Sequence, residues 1–322
     1  METIRPSLLS LKKNVRGNTW AGMWRQMRRS WQLYLLLALP LAWLIVFQYY
    51  PMYGAQIAFR DFLPGDNMWQ AKWVGLENFT RFFQSVMFGQ LMSNTLGLSI
   101  YSLAVGFPIP IIFALSLNQL RAGFFKQSVQ MASYAPYFIS TVVLVGMLLQ
   151  ILDLRHGPVN LLLQSLGKTP ILFMGDAKLF PSIYVWSGVW QYTGFSTVIY
   201  LAALATVDPA LHEAAVVDGA SRLQRIWHID LPGILPTAIT LLILNMGQII
   251  NVGFEKVYLM QNPLNTQISE VISTYVYKVG LIGGITNYSY AAAIGVFNSI
   301  IGLILLVTAN QLMKKLTDSS LW

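Results

Sequence analysis

Three histidines, His156, His212 and His228, are the only imidazoles in this 322-residue chain, and it has no cysteine. The missing thiols exclude disulfides, thiolate nucleophiles, iron–sulfur clusters and cysteine-ligated zinc. His212-Glu213 begins like the helical zinc box of metalloproteases, but Val216 stands where the second histidine is required one turn later. No Gly-x-x-x-x-Gly-Lys-Ser/Thr phosphate loop occurs. The chain is therefore expected to hold no catalytic residues, no metal and no cofactor of its own. Any nucleotide chemistry must come from another chain.

The polar residues that remain gather in one place. His212–Pro232 is an island between two long apolar stretches without charge. Asp208-Pro209 is a good helix start, because Asp caps free amides and proline fits the first helical position. Gly219 ends that helix, and Ser221-x-x-Gln224 forms a capping box for a second short helix. The second helix is expected to stop before Pro232, which cannot continue the hydrogen-bond ladder. Ala214, Ala215 and Ala220 keep the surface around the glycine thin, while Glu213, Asp218, Arg222 and Arg225 fringe it with charge. Such a surface suits either docking of another protein or an amphipathic connector lying on a membrane.

Only 11% of the residues are charged, against about 25% in ordinary soluble domains, and 55% are hydrophobic. Reading for stretches of roughly 20 apolar residues, the length that crosses a bilayer, gives six spans: 31–48, 96–117, 129–152, 181–205, 234–254 and 290–312. An even number of spans places both termini on one side. That side is cytoplasmic by the positive-inside rule, since Arg25, Arg28, Arg29, Arg121, Lys126, Arg222, Arg225, Lys314 and Lys315 all flank it. The formal charge of +8 thus belongs beside anionic headgroups, and nucleic acid is not an expected partner. Trp20, Met23, Trp24, Met27 and Trp31 fall at helical spacing in the basic N-terminal arm, which predicts an interfacial amphipathic helix.

Polar side chains at bilayer depth normally face the bundle interior. Asn245, Gln248 and Asn251 recur every three residues in the fifth span and so share one side of a 3.6-residue helix. With Trp190, Gln191 and Tyr192 of the fourth span they are the candidate lining of a pathway; the competing role is interhelical hydrogen bonding. No Lys or Arg lies within the spans, so a negatively charged cargo would have to be met by amides, hydroxyls, helix N-termini or a partner chain. Pro158 and Gly167 bracket a short helix expected at the outer surface. A gradient-driven secondary transporter would show intramembrane carboxylates or an inverted repeat, and neither is visible.

Glu213-Ala214-Ala215, Gly219 and Ile229-x-Leu231-Pro232, at their spacing, resemble the Glu-Ala-Ala loop of permease subunits in binding-protein-dependent ABC importers. Tyr49-Tyr50-Pro51-Met52-Tyr53-Gly54, Trp73-Val74-Gly75-Leu76-Glu77-Asn78-Phe79, Gly253-Phe254-Glu255-Lys256-Val257-Tyr258-Leu259 and Ser269-Glu270-Val271-Ile272-Ser273-Thr274-Tyr275 are similar to the carbohydrate-uptake branch, alginate-importer permeases included. The resemblance implies an all-α membrane protein of the type I importer fold: six transmembrane helices, with a coupling helix between the fourth and fifth. Residues 1–30 would be a cytoplasmic basic arm and 31–322 the permease domain, with its coupling loop at 206–232. It further implies that Glu213, Ala214, Ala215, Asp218, Gly219 and Ala220 meet the ATPase. The implied partners are a second permease, two ATP-binding subunits that use ATP and Mg, an extracytoplasmic solute-binding protein, membrane lipid and an oligosaccharide cargo. An importer for peptides or another nutrient is the alternative within the same class.

Overall fold

The computed structural model describes residues 28–63, 65, 67–283 and 286–317, and the chain divides into two compact units between Gln56 and Ile57. The amphipathic helix expected around Trp20 to Met27 lies outside the described residues.

In the first unit, α1 (Trp31–Leu44) contains Pro40 and runs on through a π-helical turn at Ile45–Tyr49. The helix persists through Pro40, a residue that removes one amide from the ladder.

The second unit opens with a two-stranded ribbon, β1 (Arg60–Asp61) antiparallel to β2 (Lys72–Trp73). The Arg60 guanidinium donates to the carbonyls of Ala71, at 2.9 Å, and Trp69, at 3.1 Å. Short α2 (Glu77–Phe83) follows. The long apolar element Met87–Asn118 consists of α3 (Met87–Gly106) and α4 (Pro108–Asn118), joined at Phe107.

The third expected span is bent. α5 (Phe124–Tyr134) passes through a 3-10 turn at Ala135–Phe138 and meets α6 (Thr141–Ile151) at 100°. Pro136 withholds an amide, and Ser140 restarts the ladder by accepting a hydrogen bond from the Val143 amide. Beyond it lies the short helix α7 (Pro158–Ser165), closed by Gly167 at φ +73°.

α8 (Phe180–Leu204) has 25 residues, roughly 37 Å at 1.5 Å per residue, enough to cross a bilayer. It turns by 76° into α9 (Pro209–Val217). After Gly219, α10 (Arg222–Arg225) does not stop before Pro232, contrary to the reading from sequence. It continues through a π-helical turn at Ile226–Asp230 into α11 (Leu231–Gly247), an unbroken element of 26 residues. The wider π-helical turn, in which the bonding pattern shifts register, ends two residues before Pro232, which cannot donate.

A second correction concerns the end of that span. The helix stops at Gly247, and Gln248–Gly253 is irregular before α12 (Phe254–Met260). Then come α13 (Ile272–Tyr277) and α14 (Tyr288–Thr317). Among the described residues, four helices are long and apolar enough to cross a membrane, or six when each bent pair counts as one span.

Apolar clusters fix these elements in place. Leu98, Val145, Phe180, Val185, Val252, Val257 and Met260 knit α3, α6, α8 and α12 at one end of the unit. Tyr200, Leu204, Ile234, Ala238 and Ala114 join α8, α11 and α4 toward the other.

Candidate functional site

Two places combine exposed polar groups with a defined architecture. The first is the turn between α8 and α11. Asp208 Oδ1 accepts a hydrogen bond from the Ala210 amide at 2.9 Å, and Pro209 takes the first helical position, so α9 starts as its sequence dictates. Its other end is a Schellman motif. The Ala220 amide donates to the Ala215 carbonyl at 2.8 Å and the Gly219 amide to Val216 at 3.1 Å, with Gly219 left-handed at φ +77°. A side chain there would be strained, which explains the glycine. Ser221 and Gln224 then form the reciprocal capping box that opens α10.

Glu213, Ala214, Asp218 and Gly219 are exposed, while Ala215 and Ala220 are half-buried. Around them Val217 and Leu223 are largely uncovered, at 86% and 77%. Both side chains are open to a partner chain or to lipid. They escape a search for charged or small residues, although their position beside Gly219 and Ser221 was the available signal.

On its inner side α9 is anchored by a polar node. His212 Nε2 lies 3.2 Å from Asp230 Oδ1, and Asp230 is completely buried in the π-helical turn. Gln119 Nε2, just past α4, donates to Asp230 Oδ2 at 3.1 Å, and Asn118 Nδ2 approaches Oδ1 at 3.5 Å. One carboxylate thus ties α9, α4 and the entry to α11 together.

The second place is a pair of adjoining cavities of about 390 and 460 Å³ that share Ser102, Gly106, Pro110, Tyr184, Ser196 and Gly253. Asn245, Gln248 and Asn251 line the first, and all three are exposed. Helical repetition alone does not bring them there. Asn245 stands on α11, and the break after Gly247 carries the other two, with Asn251 Nδ2 donating to Gln248 Oε1 at 2.8 Å. Tyr192 lines the second cavity. Gln191 is instead 2% exposed and donates through Nε2 to the Ile139 carbonyl at 2.8 Å, at the bend between α5 and α6. Trp190 is half-exposed and lines neither cavity.

Residues missed from the sequence complete the walls. Tyr184, Gly188, Ser196 and Tyr200 extend the four-residue spacing of Tyr192 down one face of α8, opposite Ser99 and Ser102 of α3. That spacing was the signal. The walls therefore offer hydroxyls, amides and aromatic rings, the groups that satisfy a polyhydroxylated cargo.

The break after Gly247 also brings a cation from just beyond the fifth span to the cavity, a group the sequence reading left out of the candidate lining. α12 returns against α8, so that Lys256, 7% exposed, lines the larger cavity with its neighbour Glu255. Among the described residues no group of three or more His, Asp or Glu side chains could hold a metal ion.

Comparison with known proteins agrees with this geometry. Residues 106–318 match the family described as binding-protein-dependent transport system inner membrane component. Protein LplB of Bacillus subtilis (strain 168) is 42% identical over 296 residues, 92% of each chain. The polygalacturonan/rhamnogalacturonan transport system permease protein YteP of the same organism is 41% identical over 290 residues, 90% of each chain. In the crystal structure of a bacterial ABC transporter that imports the acidic polysaccharide alginate, one chain superposes with a TM-score of 0.85 and 38% identity. That match covers 92% of this chain and 99% of the other.

Proposed function

Because this chain belongs to the family of binding-protein-dependent transport system inner membrane components, we propose that it is the permease subunit through which an ATP-driven importer carries an oligosaccharide into the cell. Alginate and other acidic oligosaccharides are the first candidates for the cargo, since similar chains belong to transporters of such polymers. The subunit sits in the cytoplasmic membrane. The arrangement of Lys and Arg supports cytoplasmic termini and a cytoplasmic turn at 206–232.

The observation that carries the mechanism is the two-sided character of α9. Its outer side presents Glu213 and Ala214 beside Val217 and Leu223; its inner side is held by Asp230. In this reading two ATP-binding subunits, which use ATP and Mg, grip the outer side. Glu213 is the charged contact, Ala214, Ala215 and Ala220 admit a close approach, and Asp218 and Gly219 form the bend. A second permease chain and an extracytoplasmic solute-binding protein complete the complex.

Displacement of α9 then travels through His212 and Asp230 to α11 and α4. Both border the cavity walls, through Asn245 and Pro110. The cycle requires partners whose affinities differ between the two states of the permease, not contact alone. The cavity groups bind and release the cargo without bond-making, so the chain acts by position.

Reconstitution tests this reading. The assembled complex should accumulate oligosaccharide in proteoliposomes only with ATP and the binding protein. Normal ATPase co-purification and uptake after Glu213→Arg or Gly219→Val would overturn the assigned docking surface.

A further inference from the structure

Lys256 is a nearly buried lysine, 7% exposed, with no assigned role in the coupling turn. Its ammonium donates to the Tyr184 carbonyl at 2.8 Å and lies 4.8 Å from the centre of the Tyr184 ring, a cation–π arrangement. Ser187 Oγ shares the same carbonyl at 3.1 Å. A Cβ at position 188 would stand 3.3 Å from the amine, so Gly188 leaves the space that the lysine head occupies.

Among the described residues no carboxylate comes within 4.0 Å of it. Other buried ionisable groups are treated differently. Asp230 faces His212, and Glu270 is paired with Lys278 and hydrogen-bonded by Thr274. Glu255, adjacent in sequence, is exposed on the same cavity and forms no ion pair with it.

A cation withdrawn from water without an anion is costly, and proteins normally pair such charges. An ammonium has three donors, of which the carbonyl takes one. The rest are available where the cavity meets Tyr192, Thr193 and Ser196. We propose that Lys256, framed by Tyr184 and Tyr192, is a carboxylate-binding subsite of the transport cavity, which makes uronate-containing oligosaccharides the preferred cargo over neutral ones. The proposal rests on the importer reading and deepens it by assigning recognition of the cargo's carboxylate to one side chain. The rings supply flat apolar faces for the sugar, the hydroxyls of Thr193 and Ser196 meet its own, and the ammonium neutralises one carboxylate. As the cargo leaves, the Tyr184 carbonyl and ring remain as partners for the cation.

The test uses the full membrane complex in nanodiscs without the binding protein, because that partner imposes its own selectivity. Equilibrium dialysis with radiolabelled tetragalacturonate and its carboxyl-reduced counterpart compares wild type, Lys256→Met and Lys256→Arg. Wild type and K256R should bind the acidic tetramer at least tenfold more tightly than the neutral one, and K256M should bind the two about equally. A preference that survives K256M, or wild type without any preference, overturns the subsite. The wild-type arm decides the matter even if K256M fails to assemble. Wild type that binds neither tetramer, and whose ATPase no oligosaccharide and binding protein stimulate, would overturn the importer reading itself.

Discussion

His212 Nε2 stands 3.2 Å from Asp230 Oδ1, a contact that joins the outermost helix of the turn to a carboxylate with no exposure at all. The carboxylate also holds Gln119, 111 positions earlier. A force applied to α9 therefore reaches two long helices through one side chain.

Taking a hydrogen-bond partner from a buried carboxylate costs about 1–3 kcal/mol, since the desolvated group is left under-satisfied. Here the remaining Gln119 contact and the partial exposure of His212, 27%, place the effect of His212→Ala at roughly 2 kcal/mol. The expected outcome is a lower unfolding temperature and uncoupled ATPase activity in the assembled complex. In a double-mutant cycle with Asp230→Asn, a coupling energy near zero would show that the pair is idle.

Gly219 at φ +77° should not tolerate a side chain. Replacement by alanine is expected to cost on the order of 1 kcal/mol and a β-branched residue more. With the Schellman turn disrupted, Glu213 moves out of register, so ATPase co-purification should fall more steeply for Gly219→Val than for Gly219→Ala. Equal retention by both variants would argue that the turn geometry is irrelevant to docking.

Gln191 and Asn251 separate packing from transport. Gln191, buried on the Ile139 carbonyl, should lose stability when changed to Leu, by about 1–3 kcal/mol for the orphaned acceptor. Transport per folded molecule should change little. Asn251→Ala, at an exposed cavity position, should leave the unfolding temperature within a degree or two while uptake falls about tenfold. The reverse pattern would exchange their roles.

Asp153, on the loop leading to α7, has its carboxyl held below the usual aspartate range by hydrogen bonds from the amides of His156, at 2.7 Å, and Arg155, at 2.9 Å. A depressed folded-state value means that the loop contact is fully present above the ordinary aspartate value, about 3.9. It is lost as pH falls through the lower folded value. Protection of the Arg155 and His156 amides, taken relative to the intrinsic exchange rate at each pH, should fall as pH drops through the lowered folded value, below the ordinary aspartate value of about 3.9, whereas Asp153→Asn should flatten that response. Exchange insensitive to acid in the unaltered chain would contradict the assignment.

What was legible in the sequence was local. Asp208-Pro209, Gly219 and the Ser221–Gln224 box act over three to five residues, and each forms the cap that its chemistry dictates. The long apolar runs likewise announced the membrane elements. Hidden features were those settled by distant contacts. Pro232 reads as a terminator until a π-helical turn carries the chain through it. Asn245, Gln248 and Asn251 read as one helical stripe, yet they meet across a break. Lys256 falls two residues past the fifth apolar run, and nothing near it announces that α12 folds back onto α8, 72 residues earlier. Asp230 is ordinary until Gln119 and His212 are beside it.

The most direct measurement is uptake of a labelled oligosaccharide into proteoliposomes that contain this chain with its second permease and ATP-binding subunits, with binding protein outside and ATP within. Accumulation that needs both ATP and binding protein, and that Glu213→Arg abolishes while the complex remains folded, is the expected result. Uptake by this chain alone under an ion gradient, or accumulation untouched by Glu213→Arg, would contradict it.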